Sequence, residues 1–151
     1  MSWIVLDASV TLSWCFPDEQ TPTSMSVLDM LKAGDQVLAP AFWCSEVLNS
    51  LLVGERKGRI SADQTRAFLN DLSALRPTLD DASVERLFND VQALCRQHGL
   101  ASYGALYVEL AMRSGSPLAT LDKNQRDAAL AVGVTCLWEA NSAPPGLRYS
   151  G

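Results

Sequence analysis

Short runs of consecutive apolar residues alternate along the chain with longer stretches in which apolar residues recur every three or four positions. The first pattern predicts buried strands, and the second predicts helices with one face against a core. Trp3-Ile4-Val5-Leu6 predicts a strand ending at Asp7, Val37-Leu38-Ala39 a second stopped by Pro40, and Thr78-Leu79 after Pro77 a short third. Pro117 to Leu121 and Val134 to Leu137 predict a fourth and a fifth. Helices fill the intervals. The clearest runs from about Ala41 to Lys57, where Phe42, Val47, Leu48, Leu51 and Leu52 form a broad apolar face and Gly58 supplies the stop. Ser61 caps the next, with Asp63 and Gln64 in its first turn. Further helices are expected near Thr23 to Lys32, Ser83 to His98, Ser102 to Arg113 and Lys123 to Val132.

Strands joined through helices need crossover connections. The fold class is therefore α/β, with a parallel sheet covered on both faces and a site at the carboxyl ends of its strands. The segment from Asn141 to Gly151, with Pro144-Pro145-Gly146, reads as an irregular arm. That gives one domain over 1–140 and a tail over 141–151. A chain of 151 residues, 48% hydrophobic and 19% charged, is the size of one domain. It buries enough surface, roughly 70%, that no metal or disulfide staple is needed, so any metal here would serve function.

Twelve Lys and Arg against seventeen Asp and Glu give a net charge of −5, so the overall field repels nucleic acid and anionic lipid. Binding of RNA must then be local. Cys15, Cys44, Cys95 and Cys136 form no C-x-x-C pair, and a single His is available to complete a zinc site. They read as reduced core residues of a cytoplasmic protein. The amino end meets Asp7 before any basic or long apolar segment, which disfavours export and membrane insertion.

Three acids are placed where packing alone does not explain a carboxylate. Asp7 follows four apolar residues at the end of the first strand, and Asp122 repeats the arrangement after the fourth. For each the ordinary role is a helix N-cap. Glu46 interrupts an apolar helix near its start, either as part of a solvated stripe with Asn49 or as a group bordering a cleft with Trp43 and Ser50. If the three converge, their mutual repulsion calls for a cation, and oxygen ligation favours Mg²⁺ or Mn²⁺. Ions held this way commonly handle phosphate, which describes a metal-dependent nuclease.

Val5-Leu6-Asp7-Ala8-Ser9-Val10, Leu38-Ala39-Pro40 followed by a helix bearing Glu46, Gly99-Leu100-Ala101-Ser102-Tyr103-Gly104-Ala105-Leu106-Tyr107 and Leu118-Ala119-Thr120-Leu121-Asp122 together resemble the PIN-domain family. More narrowly they look like the toxin ribonuclease of VapBC-type toxin–antitoxin pairs. The resemblance spans roughly Ile4 to Leu137 and rests on four ordered motifs. It implies a three-layer α/β/α sandwich around a parallel sheet of about five strands, and Mg²⁺- or Mn²⁺-dependent cleavage of RNA. It also implies a homodimer and a small VapB-type antitoxin whose tail covers the acidic groove. Asp7, Glu46 and Asp122 match acidic, metal-holding and catalytic positions, Ser9 and Thr120 fall where the family places hydroxyls beside the metal, and Asn124 sits where some members carry a further acid.

One position departs from the pattern. Where the family has an Asp after the Tyr, this chain has Gly104. A glycine early in a helix costs roughly 0.5–1 kcal/mol relative to Ala, so stability did not select it. Three readings follow: a weakened or dead nuclease, an active one in which Asn124, Asp127 or water fills the gap, or a substitution selected while a toxic gene was propagated. Lys123 and Arg126, beside Asp122, are the cations best placed for RNA phosphate, ahead of Arg56, Lys57, Arg59, Arg66 and Arg113. His98 reads as a helix C-terminal residue, and Tyr103 and Tyr107 as packing. Trp14, Phe16 and Trp43 read first as core residues, with a partner interface as the alternative. A haloacid-dehalogenase-type phosphotransferase would want Asp where Ser9 stands, and a receiver domain would place its Asp later. The main rival is a PIN fold that binds RNA or antitoxin without cutting.

Overall fold

The structure, a computed structural model, describes residues 2–137. Five parallel strands, β1 (Trp3–Leu6), β2 (Gln36–Pro40), β3 (Thr78–Asp80), β4 (Leu118–Ala119) and β5 (Cys136–Leu137), pair in the order β3-β2-β1-β4-β5. Between them run α1 (Ala8–Ser13), α2 (Pro22–Lys32), α3 (Trp43–Arg56), α4 (Ala62–Ala74), α5 (Val84–Arg86), α6 (Gln92–His98), α7 (Ser102–Ser114) and α8 (Lys123–Ala131). Ile4, Val5 and Leu6 are all buried although successive strand residues point to opposite faces. Helices therefore cover the sheet on both sides, as the uninterrupted apolar run demands. The expected tail, 141–151, lies outside the described residues. Among those described, no helix is long and apolar enough to cross a membrane.

Local chemistry sets the boundaries. Ser61 and Gln64 form a reciprocal capping box at the start of α4, and Thr21 with Ser24 forms another at α2. The predicted fourth strand, Pro117 to Leu121, shortens to two residues because Thr120 and Leu121 leave the ladder and bond to side chains instead. The predicted helix from Ser83 to His98 contains a π-helical turn at Leu87–Val91. The wider turn shifts the helical phase, so Val91 and Leu94 reach the core while Phe88 stays exposed.

One expectation needs correction. The four cysteines are free, but none lies deep in the core: Cys44 is exposed and Cys15, Cys95 and Cys136 are half-buried. Cys44 is on a turn of α3 whose apolar neighbours Trp43 and Val47 take the inward positions. Of the interface candidates, Phe16 and Trp43 are buried, and half-buried Trp14 donates its indole N–H to the Ser24 carbonyl at 2.8 Å. These residues build the core.

Gly54 marks where the segment after α1 presses hardest on α3. A Cβ there would stand 2.8 Å from Cζ of Phe16, and that ring is held in place by the Arg59 guanidinium 4.2 Å from its centroid. Gly54→Val is expected to lower the unfolding free energy by about 1–3 kcal/mol, the usual cost of overpacking, measured by urea denaturation.

Candidate active site

The strand register places the first acid. Val5 pairs with Leu118 and Leu6 with Ala119, so the next residues, Asp7 and Thr120, emerge side by side at the carboxyl ends of β1 and β4. The ladder's last bond, from Asp7 N to the Ala119 carbonyl at 3.0 Å, fixes this neighbourhood. The chain runs from β1 through β2 to β3 on one side and resumes at β4 on the other, so the crevice lies at the switch point of the sheet.

Asp7 is buried and caps α1. Its Oδ2 accepts hydrogen bonds from the Ser9 hydroxyl, from Thr120 Oγ1 at 3.1 Å and from Ser9 N at 3.4 Å, whereas Oδ1 receives only the Gln125 amide at 3.4 Å. One oxygen is saturated and the other is not. The two hydroxyls are themselves held, since Ser9 Oγ accepts from Leu121 N and Thr120 Oγ1 from Asp122 N, each at 3.0 Å. Burial raises the Asp7 pKa above its ordinary value despite these donors, which work in the opposite direction.

Glu46 comes from the first turn of α3, the helix that follows β2. Half-buried, it accepts a hydrogen bond from the Tyr107 hydroxyl at 2.8 Å. Its pKa is raised first by desolvation and then by the charge of Asp7, against the lowering effect of the Tyr107 bond. Tyr107 in turn feels desolvation and both carboxylates, which push its hydroxyl far above the usual phenol range, so it stays a donor. A shallow pocket of about 420 Å³ lined by Phe42, Ser45, Glu46, Asn49 and Tyr103 opens beside this pair. Another hollow, lined by Gly115, Pro117, Gly133 and Thr135, sits by the amino ends of β4 and β5 and holds none of the acids.

Tyr107 is a site residue that sequence reasoning assigned to packing. It is indeed buried, 1% exposed, but its oxygen orients Glu46. Tyr107→Phe keeps the ring and removes the donor, so a stability loss of about 1 kcal/mol is expected, checked by chemical denaturation. The Glu46 pKa should then rise further, readable by carbon NMR of its carboxyl.

The third acid goes elsewhere. Asp122 is exposed and its carboxylate caps α8 by accepting from Gln125 N at 3.0 Å. Its backbone reaches the site through Thr120, but its side chain answers the open N–H groups of a helix start, a demand always present. Among the described residues no three of His, Cys, Asp and Glu are grouped so as to hold a metal ion. Of the three acids, Asp7 acts through its charge on Glu46, and the Asp122 carboxylate is engaged in a cap.

Asn124 and Asp127, the residues considered as substitutes for a missing acid, are exposed on α8. Lys123 is exposed in the first turn of that helix, whereas Arg126 is 8% exposed and pairs with Asp127 at 2.8 Å. Other basic side chains are committed to structural pairs: Arg59 to Asp18 and Glu19, Arg66 to Asp63, Arg113 to Glu109 and Asp80.

Gly104 lies in the first turn of α7, behind the cap residue Ala101, which offers no side-chain bond. A Cβ at position 104 would meet Gln125 Nε2 at 3.4 Å and Cγ at 3.5 Å, ordinary contact distances. Gln125 is the second site residue that sequence reasoning passed over. It is 6% exposed, it bridges the Gly104 position and Asp7, and its Oε1 is buried without a hydrogen-bond partner.

Known proteins share this fold. The PIN-domain family matches residues 4–130. Ribonuclease VapC3 of Pyrobaculum aerophilum is 28% identical over 120 residues, covering 80% of this chain and 89% of that protein. Among solved structures, PAE2754 from Pyrobaculum aerophilum superposes with a TM-score of 0.64 at 18% identity, over 91% of this chain and 90% of the other. VapBC2 from Rickettsia felis, bound to a DNA fragment from its promoter, gives 0.61 at 13% identity, over 91% and 98%. FitAcB from Neisseria gonorrhoeae gives 0.57 at 18%, over 88% and 95%. At such identities the structures speak for the fold, and the family match speaks for descent: the chain belongs to the PIN-domain family, with distant homology to the VapC ribonucleases.

Proposed function

We propose that this protein is a Mg²⁺- or Mn²⁺-dependent endoribonuclease, the toxin of a toxin–antitoxin pair, in which Gly104 weakens metal binding and cleavage. The observation that carries the reading is that two desolvated carboxyls, Asp7 at the switch point and Glu46 on α3, both lie close enough to act on the Tyr107 hydroxyl, and that the Asp7 charge raises the Glu46 pKa. Like charges near each other in a half-dry crevice are relieved by taking up a proton or a cation, and at neutral pH a divalent cation relieves both at once. The unpartnered Gln125 carbonyl oxygen next to the amide that touches Asp7 supports the same conclusion.

Asp7 and Glu46 would hold the ion, with Asp122 joining if its cap gives way. A bound divalent ion supplies Lewis acidity towards a phosphodiester and lowers the pKa of water. The chain's own groups do the positioning. Ser9 and Thr120 keep the Asp7 carboxylate in one rotamer with Oδ1 towards Gln125, Tyr107 holds Glu46, and Lys123 offers an exposed cation to the RNA backbone. A net charge of −5 is no obstacle at a site that itself takes up divalent cations. An antitoxin partner is in keeping with the VapBC2 and FitAcB complexes, which superpose on this fold, and the homodimer rests on the family resemblance alone.

The second reading, a PIN module that binds RNA or antitoxin without cutting, is favoured by one observation. The acid that the family carries on α7 is Gly104 here, and a Gln amide on α8 touches Asp7 instead. Incubating labelled RNA with the protein in Mn²⁺ and in EDTA separates the two. Slow cleavage abolished by EDTA supports the nuclease. Intact RNA retained on the protein in both conditions supports the binding module.

A further inference from the structure

Gln125 sits in the first turn of α8, three residues after the Asp122 cap, with its backbone N–H already engaged by that cap. Its side chain turns inward between the Cβ-less position at Gly104 and Asp7, leaving the residue 6% exposed. The amide has two ends with opposite demands. Nε2 donates to Asp7 Oδ1 over a long 3.4 Å, while Oε1 is buried with nothing to accept from. A buried acceptor left unmade costs about 1–3 kcal/mol, and an amide in a core position is expensive to keep without a use.

The geometry explains the orientation. Facing the carboxylate with Oε1 would set oxygen against oxygen, so without a cation the amino group turns to Asp7 and the carbonyl is stranded. A divalent ion beside Asp7 reverses that preference, because half a turn of the terminal amide brings Oε1 towards the ion and leaves Nε2 in the place the carbonyl held. Hard divalent ions accept neutral amide oxygens readily. Gly104 leaves the room: any side chain there would begin 3.4 Å from the amide.

From this we infer that Gln125 is a direct ligand of the divalent ion, its carbonyl oxygen taking the place of the acid missing at position 104. This rests on the reading of Asp7 and Glu46 as a cation site. Gly104 and Gln125 then form one exchange, a carboxylate on α7 given up for a neutral oxygen on α8. The site loses a negative charge, which weakens its hold on the ion and relieves repulsion when the ion is gone. Asn124 and Asp127, exposed on the same helix, do not reach the position that Gln125 fills.

Titration calorimetry with Mn²⁺ on the whole chain, with melting in EDTA as a check on folding, tests this without any assay of cleavage. Gln125→Leu should bind Mn²⁺ at least about tenfold more weakly while melting at or above the wild-type temperature in EDTA, since it deletes the orphaned oxygen. Gln125→Glu, the same shape with a charged oxygen donor, should bind at least as tightly as wild type. Wild-type affinity in Gln125→Leu, or weakened affinity in Gln125→Glu, overturns the assignment. Asp7→Asn distinguishes the two levels of the account. If it abolishes Mn²⁺ binding while Gln125→Leu leaves binding unchanged, only the role of Gln125 falls. A wild-type chain that takes up no Mn²⁺ overturns both.

Discussion

Gly104→Asp raises Mn²⁺ affinity at least about tenfold and brings RNA cleavage up with it. Loss of a supporting partner typically costs 10–100-fold in metal affinity or activity, and restoring a direct ligand should recover no less. The side chain fits, because its Cβ lands at contact distance from Gln125 with no backbone in the way. The change also suits the helix. It removes a glycine and puts a negative charge in the first turn of α7, each favourable by a fraction of a kcal/mol to about 1 kcal/mol. Against this stands a third carboxylate near Asp7 and Glu46, so in EDTA the variant should gain little stability, and in Mn²⁺ it should gain clearly more than wild type. Equal Mn²⁺ affinities and equal cleavage rates in the two proteins would remove Gly104 as the cause of weakness.

Asp7→Asn has the opposite sign in function and an informative sign in stability. Cleavage and Mn²⁺ binding should drop about 100-fold or more, since the buried Oδ1 is the least saturated oxygen of the pair and an amide cannot carry its charge. Without metal, the same substitution should stabilise the protein at pH 7. The Asp7 pKa is raised by burial above the ordinary 3.8, so its contribution to stability is fully present below that value and is lost as pH rises through the folded pKa. Glu46, raised above 4.5, follows the same direction. In EDTA the variant should therefore melt above wild type at neutral pH, with the gap closing as pH falls towards 3.8. In saturating Mn²⁺ the order should invert. An ion at 100 times its dissociation constant adds about 2.7 kcal/mol to the wild type, and the variant loses this.

The strands and helices were legible because their signals are local. Four apolar residues before Asp7 can hardly be anything but a buried strand in a chain of this rhythm, and a cap such as Ser61 with Gln64 announces its helix outright. The place of Asp7 and Thr120 was legible too, once both were seen to close parallel strands. Other parts of the site were not, because side-chain direction depends on what competes for it. Asp122 had two possible uses, and the helix start takes its carboxylate.

Tyr107 carried a packing signal that was correct for its ring and silent about its hydroxyl. Gln125 did leave a trace. It lies three and four residues before Ala128 and Ala129, on the buried face of α8, so a polar residue stood at an inward position of the periodic pattern. The pairing of that position with Gly104 is a contact between α7 and α8 that spacing along the chain does not encode.

Crystals grown with Mn²⁺ and measured near the manganese absorption edge test the central claim most directly. An anomalous peak within ligand distance of both the Asp7 Oδ1 and the Glu46 carboxylate is the result expected here. Manganese bound elsewhere, with those two side chains holding no ion between them, would contradict it.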